Sequence, residues 1–93
     1  MPGSDVVILF GGTSGERRVS VASAQHVATL LPEASLWFQA ADGSVTPCTA
    51  AQLKAHADPF TTDFSPGPAQ WASLESALDS PEAARRVFFL ALH

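Results

Sequence analysis

A short glycine-rich segment after an apolar run is the part of this sequence best suited to chemistry. Gly11-Gly12-Thr13-Ser14-Gly15 leads into Glu16, where a helical pattern begins. Backbone N–H groups at a helix start favour anions, but the spacing matches neither G-x-G-x-x-G nor G-x-x-x-x-G-K-[ST], and no lysine follows. A carboxylate at Glu16 repels phosphate and attracts an ammonium group. The segment therefore indicates an amine or amino-acid ligand.

A structural interpretation of the same segment stays open. Glycines supply unusual backbone angles between a strand and a helix, Ser14 caps the helix, and Glu16 complements the helix dipole. This interpretation requires no ligand.

The flanking residues predict a strand before this segment and a helix after it. Residues 6–10 are an unbroken apolar run rich in β-branched residues, which suits a strand buried on both faces of a parallel sheet. Apolar residues then recur at helical spacing as far as Leu31, and Pro32 marks the stop: Val19, Ala22, Val27 and Leu30.

The rest of the chain continues to alternate between strand and helix patterns. A strand is predicted at residues 35–40, a turn at Asp42-Gly43 with a short returning arm at 45–46, and a helix opened by a Thr49/Gln52 capping box and ending near 56–57. Breakers between 58 and 68 predict a loop. A helix over 69–78, one proline-initiated turn at 80–82 and an apolar strand over 87–92 follow.

This alternation predicts an α/β fold with a mostly parallel sheet, in which the first and last strands are the most buried. Ligands bind such sheets beyond the carboxyl ends of the strands. The glycine-rich segment and His93 both follow strand ends, so we expect them to face the same crevice.

Composition limits the remaining possibilities. The 93 residues fit one small domain, and 46% of them are hydrophobic, which allows a core. A net charge of −4, with five scattered basic residues, argues against nucleic acid. Cys48 is the only cysteine, which excludes an intrachain disulfide and favours a reducing compartment. No signal peptide, membrane segment or metal-ligand spacing is evident, so we predict a cytoplasmic protein.

Two segments at opposite ends of the chain carry a family resemblance. Residues 7–20, Val-Ile-Leu-Phe-Gly-Gly-Thr-Ser-Gly-Glu-Arg-Arg-Val-Ser, resemble the opening signature of D-alanine–D-alanine ligases. Residues 87–93 resemble the family's strand that finishes in Ala-Leu-His. The middle, 32–86, is not diagnostic, and Arg18 stands where many relatives carry Glu.

The resemblance implies a Rossmann-like, three-layer α/β sandwich with a mostly parallel sheet, the pre-ATP-grasp domain of such a ligase, over residues 1–93. The family joins two D-alanines for peptidoglycan synthesis with ATP and Mg²⁺. By motif position, the resemblance implies Glu16 and Ser20 as catalytic residues: Glu16 binds the ammonium of the first D-alanine and Ser20 supports Glu16. His93 holds the carboxyl region of the substrate. Ser14, in the same loop, is a further substrate-binding candidate.

The resemblance also implies what this chain lacks and what it contacts. The family's nucleotide and Mg²⁺ residues belong to ATP-grasp domains absent from this chain. We therefore expect the 93 residues alone to bind no cofactor, to be inactive and to bind D-alanine at best in the millimolar range. The implied partners are D-alanine, the ATP-grasp domains of the same protein and, for the whole enzyme, a second subunit in a homodimer. An apolar surface patch is expected where other domains cover this one.

Two other functions remain open. One is a related ATP-grasp ligase that joins other D-amino or hydroxy acids. The other is a stand-alone, non-catalytic Rossmann-like module that binds an amino acid or a partner.

Overall fold

The computed structural model describes residues 5–59 and 63–91 of the chain. Regular structure in these residues comprises, in chain order, β1 Val6–Gly11, α1 Arg17–Leu30, β2 Ser35–Gln39, β3 Val45–Cys48, α2 Ala50–Ala55, α3 Leu74–Leu78, a 3₁₀ turn Pro81–Ala83, and β4 Val87–Leu90.

The strands form one mixed sheet in the order β3-β2-β1-β4. β1 pairs in parallel with both β2 and β4, and β3 returns antiparallel to β2. The prediction of an α/β domain with a mostly parallel sheet is confirmed. Because β1 has a strand on each side and core residues on each face, its unbroken apolar run is almost wholly buried.

Alternating residues of β1 point to opposite faces of the sheet and therefore pack in two different core clusters. Ile8 and Phe10 pack in the cluster that includes Val21 and Ala24 of α1. Val7 and Leu9 pack in a second cluster with Trp37 of β2, joined by α3 and the 3₁₀ turn through Ala77 and Ala83.

The prediction that the last strand is among the two most buried is wrong. β4 is an edge strand that pairs only with β1 within the described residues. Val87, Phe89 and Leu90 are 51%, 45% and 63% exposed. A continuous apolar run predicts a strand, but it does not determine whether that strand is central or at the edge of the sheet. β4 thus carries exposed apolar side chains, and a contiguous patch covered by other domains stays a prediction.

The helix predicted over residues 69–78 begins later than expected. Trp71 pairs with Val45: the Val45 N–H donates to the Trp71 carbonyl at 2.9 Å, and the Trp71 N–H donates back at 3.1 Å. These bonds hold residue 71 in an extended bridge. The helix starts only after Ser73, whose Oγ accepts from the Ser76 N–H at 3.1 Å.

α2 begins as its sequence predicts. Thr49 Oγ1 accepts from the Gln52 N–H at 3.0 Å, and Gln52 Oε1 accepts from the Thr49 N–H at 2.9 Å, which completes the capping box. No helix among residues 5–59 and 63–91 has both the length and the apolar character needed to cross a membrane.

Candidate functional site

The glycine-rich segment leaves the carboxyl end of β1 in a conformation that favours glycine. Gly11 and Gly12 have φ angles of 90° and 121°. A Cβ at Gly11 would lie 2.3 Å from the Gln39 carbonyl oxygen of β2, closer than atoms can approach. The Gly12 N–H donates to the same oxygen at 2.9 Å. This turn is thus pressed against the end of β2, and both the space and the backbone angles require glycine.

Ser14 orders the turn that leads into α1. Its Oγ accepts from the Glu16 N–H at 3.2 Å, two residues on, and its carbonyl accepts from the Arg17 N–H at 3.3 Å. The helix-capping position itself belongs to Glu16, with no side-chain cap. The structural interpretation that Ser14 caps α1 is therefore wrong, and Ser14 instead shapes the preceding turn.

Glu16 is exposed and occupies the N-cap position, immediately before α1. Its carboxylate makes no hydrogen bond or ion pair with residues 5–59 or 63–91, while its backbone is held by Ser14. A carboxylate of this kind can accept hydrogen bonds from an external ammonium group without first breaking a contact inside the described part of the chain.

Ser20 is completely buried and joins the ends of two strands. Its Oγ accepts from the Gly11 N–H at 2.8 Å and donates to the Ala91 carbonyl. We call this pair of bonds the Ser20 bridge. It ties α1 to the end of β1 and to the residue after β4, and the described contacts of the hydroxyl are with the backbone. Direct support of the Glu16 carboxylate by Ser20 stays a prediction.

The Ser20 bridge also fixes where the chain leaves β4. The Ala91 N–H donates to the Leu9 carbonyl at 2.8 Å, so Ala91 is held on both its N–H and its carbonyl. The glycine-rich segment and Ala91 consequently lie at the same edge of the sheet, as expected for the carboxyl ends of parallel strands. The predicted site residue His93 follows two positions later and lies outside the described residues.

Two arginines at the start of α1 share one carboxylate from a distant loop. Arg18 Nε donates to Asp63 Oδ1 at 2.9 Å, and Arg17 Nη2 donates to Asp63 Oδ2 at 3.4 Å. Arg17 also reaches back, with Nη1 donating to the Ser14 carbonyl at 3.3 Å. The hydrogen bond from Arg18, followed by the charges of both arginines, lowers the pKa of Asp63 below its usual value.

Asp63 was not identified from the sequence. It lies in a proline-rich loop, 45 residues beyond Arg18, and an isolated exposed aspartate there has no periodic or motif signal. Its neighbour Phe64 is buried and packs edge-on against Phe38, with ring centroids 5.2 Å apart. That apolar contact fixes the backbone beside Asp63 and so sets where the carboxylate lies.

Glu16 does not line either of two surface grooves. One, of about 500 Å³, runs between α1 and α2 and is lined by Gln25, Lys54 and His56 among others. The second, of about 420 Å³, is lined by His56, Asp63 and Phe64 with neighbouring residues. Gln25 Nε2 donates to the carbonyls of Leu53 and His56, which closes the carboxyl end of α2 against α1. The wall of the first groove is thus used for packing.

No family model, curated protein or solved structure matches this chain.

Proposed function

We propose that this domain supplies the binding site for the first D-alanine of an ATP-dependent D-alanine–D-alanine ligase. The observation that supports it most directly is the exposed carboxylate of Glu16, which has no ion pair among the described residues. An ordered turn presents it at the carboxyl edge of the parallel strands. This is the edge at which α/β proteins bind their ligands, and the sign of the charge suits an amino group.

The roles within the proposal follow the resemblance of the two terminal segments. Glu16 accepts hydrogen bonds from the substrate ammonium, and the turn around Ser14 sets its position. The Ser20 bridge keeps Ala91, the residue after β4, beside this turn. The resemblance assigns the carboxyl region of the substrate to His93. These residues bind and orient the substrate, and none of them transfers a proton in this scheme.

ATP and Mg²⁺ enter the proposal only through other parts of the enzyme. The glycine-rich segment lacks the lysine of a phosphate-binding loop. Among residues 5–59 and 63–91, no group of three or more His, Cys, Asp or Glu side chains is arranged to hold a metal ion. The described residues therefore do not fit these groups. We assign the binding of ATP and Mg²⁺ to the ATP-grasp domains that the resemblance implies. The whole enzyme in this proposal is a cytoplasmic homodimer.

The finer architecture is part of the same proposal. Core clusters on both sides of β1, with α1 and α2 on one side and α3 and the 3₁₀ turn on the other, support a Rossmann-like three-layer sandwich. The exposed apolar side chains of β4 support its coverage by further domains.

Ligand titration followed by backbone amide NMR tests the proposal. D-Alanine should shift the amide signals of residues 11–17, whereas D-lactate, which has a hydroxyl in place of the ammonium, should not. Glu16→Gln should abolish the D-alanine response because it removes the negative charge but keeps the shape. Glu33→Gln is the matched control, since Glu33 is exposed in the turn before β2, at the opposite edge of the sheet.

The outcomes separate a D-alanine site at Glu16 from a hydroxy-acid site and from a site elsewhere. Equal responses to D-alanine and D-lactate would contradict a role for Glu16 in ammonium recognition and would favour a hydroxy-acid ligase. Shifts confined to the groove between α1 and α2 would place the ligand elsewhere and contradict the proposed site.

A further inference from the structure

Three charged side chains follow one another where α1 begins. Glu16 is the candidate ligand for an ammonium group, and Arg17 and Arg18 come directly after it. Arginines in the first helical turn are unfavourable there, because the helix amino end is itself positive. An unpaired guanidinium close to Glu16 would be expected to bind its carboxylate, since charge-assisted arginine–carboxylate contacts are strong.

The described contacts direct both guanidinium groups elsewhere. Arg18 donates through Nε to one oxygen of Asp63 at 2.9 Å, and Arg17 donates through Nη2 to the other at 3.4 Å. Arg17 is held a second time by the Ser14 carbonyl. The Asp63 carboxylate thus forms ion pairs with both arginines, while Glu16 has no ion pair among the described residues.

We propose that Asp63 is a positioning residue that holds Arg17 and Arg18 away from Glu16 and so keeps the Glu16 carboxylate available for a substrate ammonium. The inference rests on the proposed function, because it assigns a role to Asp63 at the same site. Asp63 touches no substrate atom in this scheme and acts through the two arginines.

The charge balance points in the same direction. With Asp63 present, two carboxylates nearly offset the two arginines and the positive helix end. Without it, an incoming ammonium meets an excess of about one further positive charge. For exposed side chains at separations of about 3–6 Å in a water-like dielectric of about 80, one unit charge changes binding by about three- to tenfold. Affinity for an ammonium ligand is therefore sensitive to Asp63.

Stability should respond much less than affinity. The Asp63 side chain is 52% exposed, and exposed ion pairs contribute little to folding. The backbone at this point is anchored by buried Phe64, which the substitution leaves in place. A role limited to holding the loop in place would instead change stability and affinity together.

The experiment compares Asp63→Asn with the wild-type protein in D-alanine titrations at low and high salt. We expect affinity to fall about three- to tenfold at low ionic strength and the difference to shrink as salt screens the charges. Asp63→Glu should retain most of the affinity. Adding Arg18→Gln to Asp63→Asn should restore part of it, because one competing guanidinium is gone. Asp5→Asn, at the opposite edge of the sheet, is the matched control.

A second measurement does not depend on ligand binding. In Asp63→Asn, nuclear Overhauser contacts should appear between the Glu16 γ-methylene and the δ-methylene of Arg17 or Arg18, and these should be absent from the wild-type protein. Unchanged affinity, or no new contact in the variant, would overturn the inference. If the wild-type protein fails to bind D-alanine while the new contacts appear in the variant, the proposed function fails and the role of Asp63 in orienting the arginines stands.

Discussion

Replacing Ser20 by alanine tests the bridge that unites the candidate site. The substitution removes the acceptor of the Gly11 N–H and the donor to the Ala91 carbonyl, and both backbone groups are buried. Leaving a buried polar group unsatisfied costs about 1–3 kcal/mol. Alanine returns roughly 0.5 kcal/mol as the better helix former. With two such groups left unsatisfied, we therefore expect Ser20→Ala to lower the free energy of unfolding by about 2–5 kcal/mol.

A loss of this size is large for so small a domain. At roughly 0.05–0.15 kcal/mol per residue, the whole chain is stabilised by about 5–14 kcal/mol. Urea unfolding followed by the fluorescence of Trp37 and Trp71 measures the change directly, because the partly buried Trp71 ring packs against Trp37 of the core. The melting temperature should fall by about 8–40 °C, since each kcal/mol shifts it by about 4–8 °C in a domain of this size.

The control must share the change in helix propensity but not the bridge. Ser23→Ala meets this condition, because Ser23 lies in the next turn of α1 and is only partly buried; it should change stability by less than about 0.5 kcal/mol. Hydrogen exchange at the Gly11 amide gives a local readout that should accelerate in Ser20→Ala alone. Equal stability of the two variants, with Gly11 still protected, would refute the reasoning.

Three further predictions concern other parts of the chain. Gly11→Ala should prevent stable folding, because its Cβ would lie 2.3 Å from a backbone oxygen of β2 at a positive φ, whereas Gly15→Ala, with open space around it, should fold normally by circular dichroism. Burial raises the pKa of the Cys48 thiol from 9.0 to about 12, so alkylation at mildly alkaline pH should be slow until urea is added. Unfolding lets that thiol ionise, so stability should fall as pH rises from 9 toward 12; insensitivity there would contradict burial of the thiol. The exposed apolar edge strand β4 predicts self-association, which Leu90→Lys should reduce in sedimentation experiments by placing a charge on that strand. Leu78→Lys, on α3, should have less effect.

The sequence predicts the first half of the fold well because local signals there agree with one another. The apolar run ending at Phe10, the glycines after it and Pro32 at the helix end each mark a boundary, and β1 and α1 follow these marks. The Thr49/Gln52 capping box is equally local and is confirmed. Both examples depend on signals whose partners lie within a few residues. Even such a signal can fail, as the expected cap at Ser14 does.

Features that depend on distant partners were missed. Trp71 matches a helical pattern with Leu74, yet pairing with Val45, 26 positions earlier in the sequence, holds it extended. The edge position of β4 depends on the order of the strands in the sheet, and the apolar composition of a strand does not determine that order. Asp63 matters only because Phe64 anchors its loop near α1. In each case, tertiary packing outweighs the local preference.

The candidate site divides its tasks between a buried group and exposed ones, and the division can be measured. The Ser20 bridge lies inside the core, so its loss removes hydrogen bonds that hold the fold and must change stability. Glu16 and Asp63 are exposed, so their loss changes the charge presented to a ligand and leaves the core intact. Variants at Glu16 and Asp63 should therefore vary in affinity at nearly constant stability, whereas a variant at Ser20 must lose stability whether or not it loses affinity. If Glu16 and Asp63 served only the fold, their variants would not change ligand affinity at constant stability. Exposed carboxylates contribute little to folding, so an effect on affinity alone indicates a role in binding.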